Sequence, residues 1–587
     1  MRNIRERGQG PVVLTAALLV FAVVGQAAAI DWWVASPLEK IKPTDPEPAT
    51  PAKAATIYAA RNEFEPFQIV LRANGSAVQN VDVTCSDLRT EAGDTITSSD
   101  NVTIYAEQFI KITQPSLQSG VPGEYPDPLV PRIDRYANEQ RNAFPLNLQS
   151  GSNQPVWIDM FVPDDAAPGQ YSGKVTVTTN GAASFTVPVQ LTVWSFALPS
   201  TSTLPSSYGF SGTSALKVHY GSYTSDQDLY IITRVYETAA LLHRVSINGG
   251  SQVPPKYQYD HGQMSINWAA YDAEVGPFLD GSAIASGPLH GAKATSIDLR
   301  MPASFGTPAL QALYWQQSVR HFEDKEWDGR LFYYLWDEPA LTDFPKVAAL
   351  GRAALQAAPS LRNLVTTTPD RTLAPVVRIW TPLVNCLEVK PGFDDFCTHT
   401  PTSKEYADVR AQSKGLWFYQ SCASHGCGGP GGKYFEGWPS YMIDASGPAN
   451  RVMQWVAWKY QMEGELYYSM NDAYTSGDAW TNIRQFSGNG DGTLFYPGTP
   501  GRIGGKTHIP IESMRLKLIR EGMEDYEYLA LLAQFDPAMA DHYASQIVQA
   551  PYLFESDPST FLQVRQQLGQ TLDRMTASQL ASRSNVR

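Results

Sequence analysis

The chain has 587 residues, more than one hydrophobic core organises, so two or three domains are expected. A 43% hydrophobic and 11% aromatic composition, with only 18% charged residues and abundant Gly and Pro, describes a globular chain rich in turns and excludes a disordered or fibrous one. The formal net charge of −13 opposes nucleic acid and anionic membrane surfaces as partners.

Residues 1–29 have the layout of a secretory leader. Arg2, Arg5 and Arg7 precede an apolar stretch from Pro11 to Val24, and Ala27-Ala28-Ala29 offers a small-residue cleavage site. That stretch is short for a membrane span, and no later one is long enough, so an exported protein, periplasmic or extracellular, is expected. Five cysteines in such a chain predict one or two disulfides and a leftover, with pairing among Cys386, Cys397, Cys422 and Cys427 and Cys85 apart; the connectivity stays open. Cys422-Ala-Ser-His-Gly-Cys427 lacks a second Cys/His pair at metal-ligand spacing, so a loop-closing disulfide is expected there.

Residues 30–198 carry a β pattern. Phe67–Arg72, Val156–Val162 and Tyr171–Thr178 are short strands, and Asn180-Gly181 is a hairpin turn leading to a return strand with Phe185, Val187, Val189, Leu191 and Val193 on one face. This predicts an antiparallel β-sandwich accessory domain. A Pro- and Ser/Thr-rich linker follows at 199–205.

From 206 to 535 the texture changes to apolar strands alternating with helices. The strands are Ser207–Phe210, Val245–Asn248, Ala294–Leu299, Leu331–Trp336, Asn363–Thr367, Arg378–Trp380, Leu416–Gln420 and Glu465–Met470. Helical patterns include Asp226–Arg244, Ala309–Phe322, Phe344–Ala358 and Ala449–Met462. Eight such alternations predict a (β/α)8 barrel of the TIM type. Further helices at 511–532 and across 536–587 are expected to cap its outside.

The central stretch is Leu331-Phe-Tyr-Tyr-Leu-Trp-Asp-Glu-Pro339, a buried strand running into two carboxylates and a proline that ends the ladder. Asp337 and Glu338 could merely open the next helix, but strand ends of a barrel converge on one mouth, where catalytic groups sit. The other expected occupants of that mouth are Trp417, Tyr419, Trp438, Tyr468, Asn471 and Asp472, with Thr367 and Thr368 after the fifth strand. Aromatic faces with interleaved carboxylates and amides suit a sugar. There is no P-loop, H-E-x-x-H or G-x-S-x-G motif, no metal or other cofactor is expected, and Ser487–Thr493 is read as a turn despite its likeness to a calcium loop.

Adjacent acids fit poorly with the usual division of labour across a glycosidic bond, where the carboxyls stand about 5–5.5 Å or about 6.5–9.5 Å apart. They suit substrate-assisted hydrolysis, in which one acid protonates the glycosidic oxygen and the other holds the substrate's own acetamido group. Trp336-Asp-Glu-Pro339 resembles the catalytic motif of glycoside hydrolase family 123, the β-N-acetylgalactosaminidases. Other segments resemble the same family: Ala60–Glu65 with Phe67–Val70, Pro168–Gly173, Trp438–Tyr441, Asn489–Gly498, and the tail from Ser513 to Leu529. The resemblance implies a β-sandwich followed by a catalytic barrel. It also implies Glu338 as general acid/base and Asp337 as the group orienting the 2-acetamido substituent of a glycan or glycolipid. The role of Glu338 implies burial beside its charged neighbour. A glycosidase for a non-acetamido sugar, with Asp472 as second acid, and a non-catalytic carbohydrate-binding envelope protein are the alternatives.

Overall fold

A domain of two β-sheets, their strands interleaved in sequence, precedes a parallel barrel in a computed structural model that describes residues 29–248, 255–301, 305–412, 414–429 and 432–584. The leader expected over 1–29 lies outside the described residues except for Ala29, where the first strand begins.

The β-rich N-terminal domain has a five-stranded sheet, antiparallel throughout, built on Glu63–Asn74 and Asn153–Val162. Its second sheet is built on Gly169–Thr179 and Ala182–Ala197, joined through Asn180 and Gly181, both at positive φ as a tight hairpin requires. This sheet is not wholly antiparallel: Ala55–Arg61 runs parallel to Ala182–Ala197. Phe67, Ile69 and Ile158 of one sheet share an apolar core with Val177, Val187 and Leu191 of the other. The alternation of the return strand is the cause, since its inward residues have no other place to escape water.

The eight barrel strands, here numbered β1 to β8, are Ser206–Gly209, Ile247–Asn248, Ile297–Asp298, Leu331–Trp336, Asn363–Val365, Ile379–Trp380, Gly415–Gln420 and Gly464–Tyr467. Every ladder among them is parallel, and β1 pairs with β8. β2 and β3 form the two ends of the sheet with no ladder between them among the described residues, so the barrel is nearly closed. The β/α alternation also lapses once: residues 366–378, between β5 and β6, contain turns and no helix. Phe332, Leu364, Ile379, Trp417, Tyr419 and Leu466 fill the interior.

The helix Met514–Ala533 is no outer cap, because sixteen of its twenty residues are buried. Its charged residues are paired across the seam between the sheets and the barrel. Arg515 binds Asp127; Lys517 and Arg520 bind Asp159; Asp525 receives Arg451 and Arg565, and Arg565 also reaches Glu63 and Glu65. Burial alone would raise the Asp159 carboxyl, but the charges of Arg520 and Lys517 hold it far below the usual range. At Gly522 a Cβ would come 2.1 Å from Gln454 Oε1, so only glycine admits this close packing. The last helix, Pro558–Ser584, also lies against the sheet strand Ala182–Ala197, where Asp573 accepts from Ser195 N at 2.6 Å.

Candidate active site

The pairing of β4 with β5 slips in register between Tyr334 and Trp336. A bulge there re-aims whatever follows it. Glu338 then takes φ +41°, a left-handed conformation costly for a residue with a Cβ. The next helical turn begins at Leu341 with Ala340 at its N-cap, and the α-helix follows from Phe344, so neither acid caps it.

Thr366, the first residue past β5, clasps the turn. Its Oγ1 accepts from Glu338 N at 2.6 Å and donates to Asp337 Oδ1 at 3.0 Å. Tyr334 donates to the same Asp337 oxygen at 2.7 Å, and Tyr419, from β7, donates to Glu338 Oε1 at 2.5 Å. Both phenols are pushed well up, first by burial and then by the carboxylate each serves, so they remain donors throughout the functional pH range. Glu338 and Asp337 themselves are exposed, and the burial expected of Glu338 is absent in the free chain. A cavity of about 450 Å³ opens beside Glu338, lined by residues following β4, β5, β6 and β7.

The expected mouth residues fall into different places. Tyr419 reaches the acid pair. Trp417, two residues earlier on the same face of β7, is buried deeper, packed on Phe332 and over Gly464. Trp438 is buried at the seam, its Nε1 donating to Tyr434 O, and lines a separate cavity with Ser116 and Met442. Asn471 is buried and holds the backbone of Ser211 through both side-chain atoms. Tyr468 packs edge-on against Phe486, and Asp472 is half-buried, its carboxyl raised by burial. None of these five lines the cavity at Glu338. Tyr334 and Thr366 went unpredicted: the first read as apolar strand filling, the second as the residue before the expected Thr367 and Thr368. Cys386 is bonded to Cys397 and Cys422 to Cys427, while Cys85 is free. The second bridge closes the loop around His425 as the spacing predicted.

Two family models match the chain: the glycoside hydrolase 123 N-terminal domain over residues 39–179 and the glycoside hydrolase 123 catalytic domain over 312–532. Together they span more than half of it, and the second contains the acid pair. The chain belongs to glycoside hydrolase family 123.

Among solved structures, it is similar to a family 123 glycoside hydrolase from Clostridium perfringens, described for glycolipid glycan hydrolysis. The identity is 14%, over 95% of this chain and 100% of that one, with a TM-score of 0.65. A Bacteroides ovatus GH5 xyloglucanase matches at 10% identity over 80% and 98% of the two chains, TM-score 0.28. A family 39 glycoside hydrolase from Bacteroides cellulosilyticus WH2 matches at 10% over 76% and 83%, TM-score 0.28. No curated protein matches.

Proposed function

We propose that this family 123 glycosidase is a retaining exo-β-N-acetylgalactosaminidase working by substrate-assisted catalysis on glycans, with glycolipid glycans as the leading class. The observation that carries this is the clasp. Tyr334 and Thr366 both donate to Asp337 Oδ1, which leaves Oδ2 to accept the N–H of a substrate acetamido group. An acetamido group so held presents its carbonyl oxygen to the anomeric carbon, and the carboxylate offsets the positive charge of the resulting oxazolinium ion. Glu338, one residue away and held on the other side by Tyr419, protonates the departing oxygen through Oε2 and then activates water for ring opening. Its exposure in the free chain supports an acid that becomes desolvated only when sugar covers it.

Export fits the two disulfides, which persist in oxidising compartments. No helix among the described residues is long and apolar enough to cross a membrane.

The deciding experiment compares chromogenic β-N-acetylgalactosaminide, β-N-acetylglucosaminide and β-galactoside, with Glu338→Gln and Asp337→Asn in parallel. Cleavage confined to acetamido sugars, weakened in both variants and blocked by a thiazoline analogue, is expected. Turnover of plain galactoside would refute substrate assistance.

A further inference from the structure

A second cleft, of about 430 Å³, opens where the N-terminal domain meets the barrel. Its walls are the turn carrying Arg135 and Tyr136, the helix Asp226–Leu242 with Arg234 and Thr238 on one face, and the loop 283–288. That helix joins β1 to β2 and the loop leads toward β3, so the cleft lies beside the N-terminal ends of the strands. Asp337 and Glu338 follow a strand's C-terminal end and sit at the opposite face of the barrel.

Two arginines and no acidic residue line this cleft, in a chain whose net charge is −13. A guanidinium carries five N–H donors. Among the described residues Arg135 has one protein acceptor, Thr103 Oγ1 at 2.8 Å, and Arg234 has one, Tyr230 Oη at 3.3 Å. Arg135 Nε is buried without a partner. The neighbouring acids are engaged elsewhere. Asp134 accepts from Arg141, while Asp159 and Glu512, whose charges act on Arg135, are bound by Arg520 and Lys517. Glu237, one helical turn from Arg234, is raised well above the usual carboxylate range by burial and then by Glu274, which favours its neutral form and leaves Arg234 its charge.

Each guanidinium also rests on an aromatic ring. Arg135 Cζ stands 5.2 Å from the centre of the Phe64 ring and Arg234 Cζ 5.5 Å from that of Phe278, and both rings belong to one apolar cluster with Leu242 and Ile284. Stacking occupies the face of a guanidinium and leaves its N–H edge for an oxyanion. We infer that this cleft is an accessory binding site for an acidic sugar, whose carboxylate or sulfate is held by Arg135 and Arg234.

The space is larger than a bare ion needs and lies within the range of small-ligand sites, roughly 300–1,000 Å³. The hydroxyls of Thr238 and Ser286 and the apolar sides of Val235 and Pro288 complement the hydroxyls and C–H faces of a sugar ring. A glycosidase tethered here to an acidic glycan keeps its mouth free for the sugar it cleaves, and substrate is concentrated without any contact at the acid pair.

The test is isothermal titration calorimetry of the full protein with glucuronate, glucose and sodium sulfate. Glucuronate is expected to bind with a millimolar Kd, glucose at least about tenfold more weakly, and sulfate more weakly than glucuronate. Arg234→Gln, and independently Ala285→Glu, which sets a carboxylate on the exposed rim, are each expected to weaken glucuronate at least about tenfold. Glu338→Gln is expected to leave that affinity unchanged, and circular dichroism checks the fold of all three. Glucuronate and glucose bound alike, no binding of either, or an affinity that neither rim variant moves would overturn the site. Loss of glucuronate binding in Glu338→Gln would place the sugar at the catalytic mouth and overturn it equally. Sulfate bound as tightly as glucuronate would overturn the sugar assignment.

Discussion

Tyr419, on β7, donates its phenolic proton to Glu338 Oε1, three strands away around the barrel, at 2.5 Å. A phenol buried and facing a carboxylate cannot give up that proton at functional pH, so Oε1 is committed as an acceptor, and in the proposed mechanism Oε2 is the oxygen that carries the catalytic proton. In that mechanism Tyr419 acts as a positioning residue. Tyr419→Phe is expected to lower kcat about tenfold with KM little changed, since the ring's packing survives and only the orientation of the acid is lost. A proportionate rise in KM at constant kcat would show that the hydroxyl binds substrate instead.

The two acids are predicted to fail differently. Without its acid, the enzyme loses most on substrates that need leaving-group protonation, so Glu338→Gln is expected to be about 10²–10⁴-fold slower on a disaccharide. It should be far less impaired on a dinitrophenyl glycoside, whose leaving group departs unprotonated. Asp337→Asn removes charge stabilisation of the intermediate and is expected to slow both substrates to similar extents. A plot of log kcat/KM against leaving-group pKa distinguishes them: steeper than wild type for Glu338→Gln, parallel to it for Asp337→Asn.

Much of the fold was legible because burial imposes periodicity. The alternation of Val187, Val189 and Leu191 and the apolar run Leu331–Trp336 each led to the strand observed there. The acid pair was legible as two carboxylates at the end of such a run. Reach was not: Trp417 and Tyr419 share a face of β7 with identical local signals and both pack in the interior, yet only the Tyr419 hydroxyl touches Glu338. Nor was the bulge at the end of β4, which brings Thr366 rather than Thr367 or Thr368 to both acids. The seam helix was misread as an outer cap for a physical reason. Its charges look solvated until Asp127 and Asp159, more than 350 residues earlier, are found opposite them.

That seam yields a stability prediction. Arg520 and Lys517 share Asp159 in a fully buried cluster joining the N-terminal sheets to the barrel helix. Arg520→Met leaves Asp159 under-compensated and is expected to cost roughly 3–5 kcal/mol. Urea unfolding followed by tryptophan fluorescence should show one earlier transition, because the lost ion pair belongs to both domains. Two separated transitions with only the first displaced would contradict a shared seam.

Asp491 offers a pH test at a single group. Burial raises its carboxyl to about 7, although Tyr467 donates to Oδ1 at 3.2 Å and the charge of Arg515 opposes the rise. His425, whose Nε2 lies 3.6 Å from Oδ2, is itself lowered to about 4 by burial and so is neutral above that pH. In the unfolded chain an aspartate titrates near about 3.9. Between those two values the folded protein retains a proton that the unfolded chain has released, so folding is progressively disfavoured as pH rises from 4 to 7. Asp491→Asn keeps an acceptor for Tyr467 and abolishes the titration. Relative to wild type, the variant is expected to gain stability steadily over that window and to hold the gain above pH 7, a difference of a few kcal/mol at most. Thermal melts of both proteins at pH 4.5, 6 and 8 measure it; a difference independent of pH would mean that Asp491 is ionised in the fold throughout.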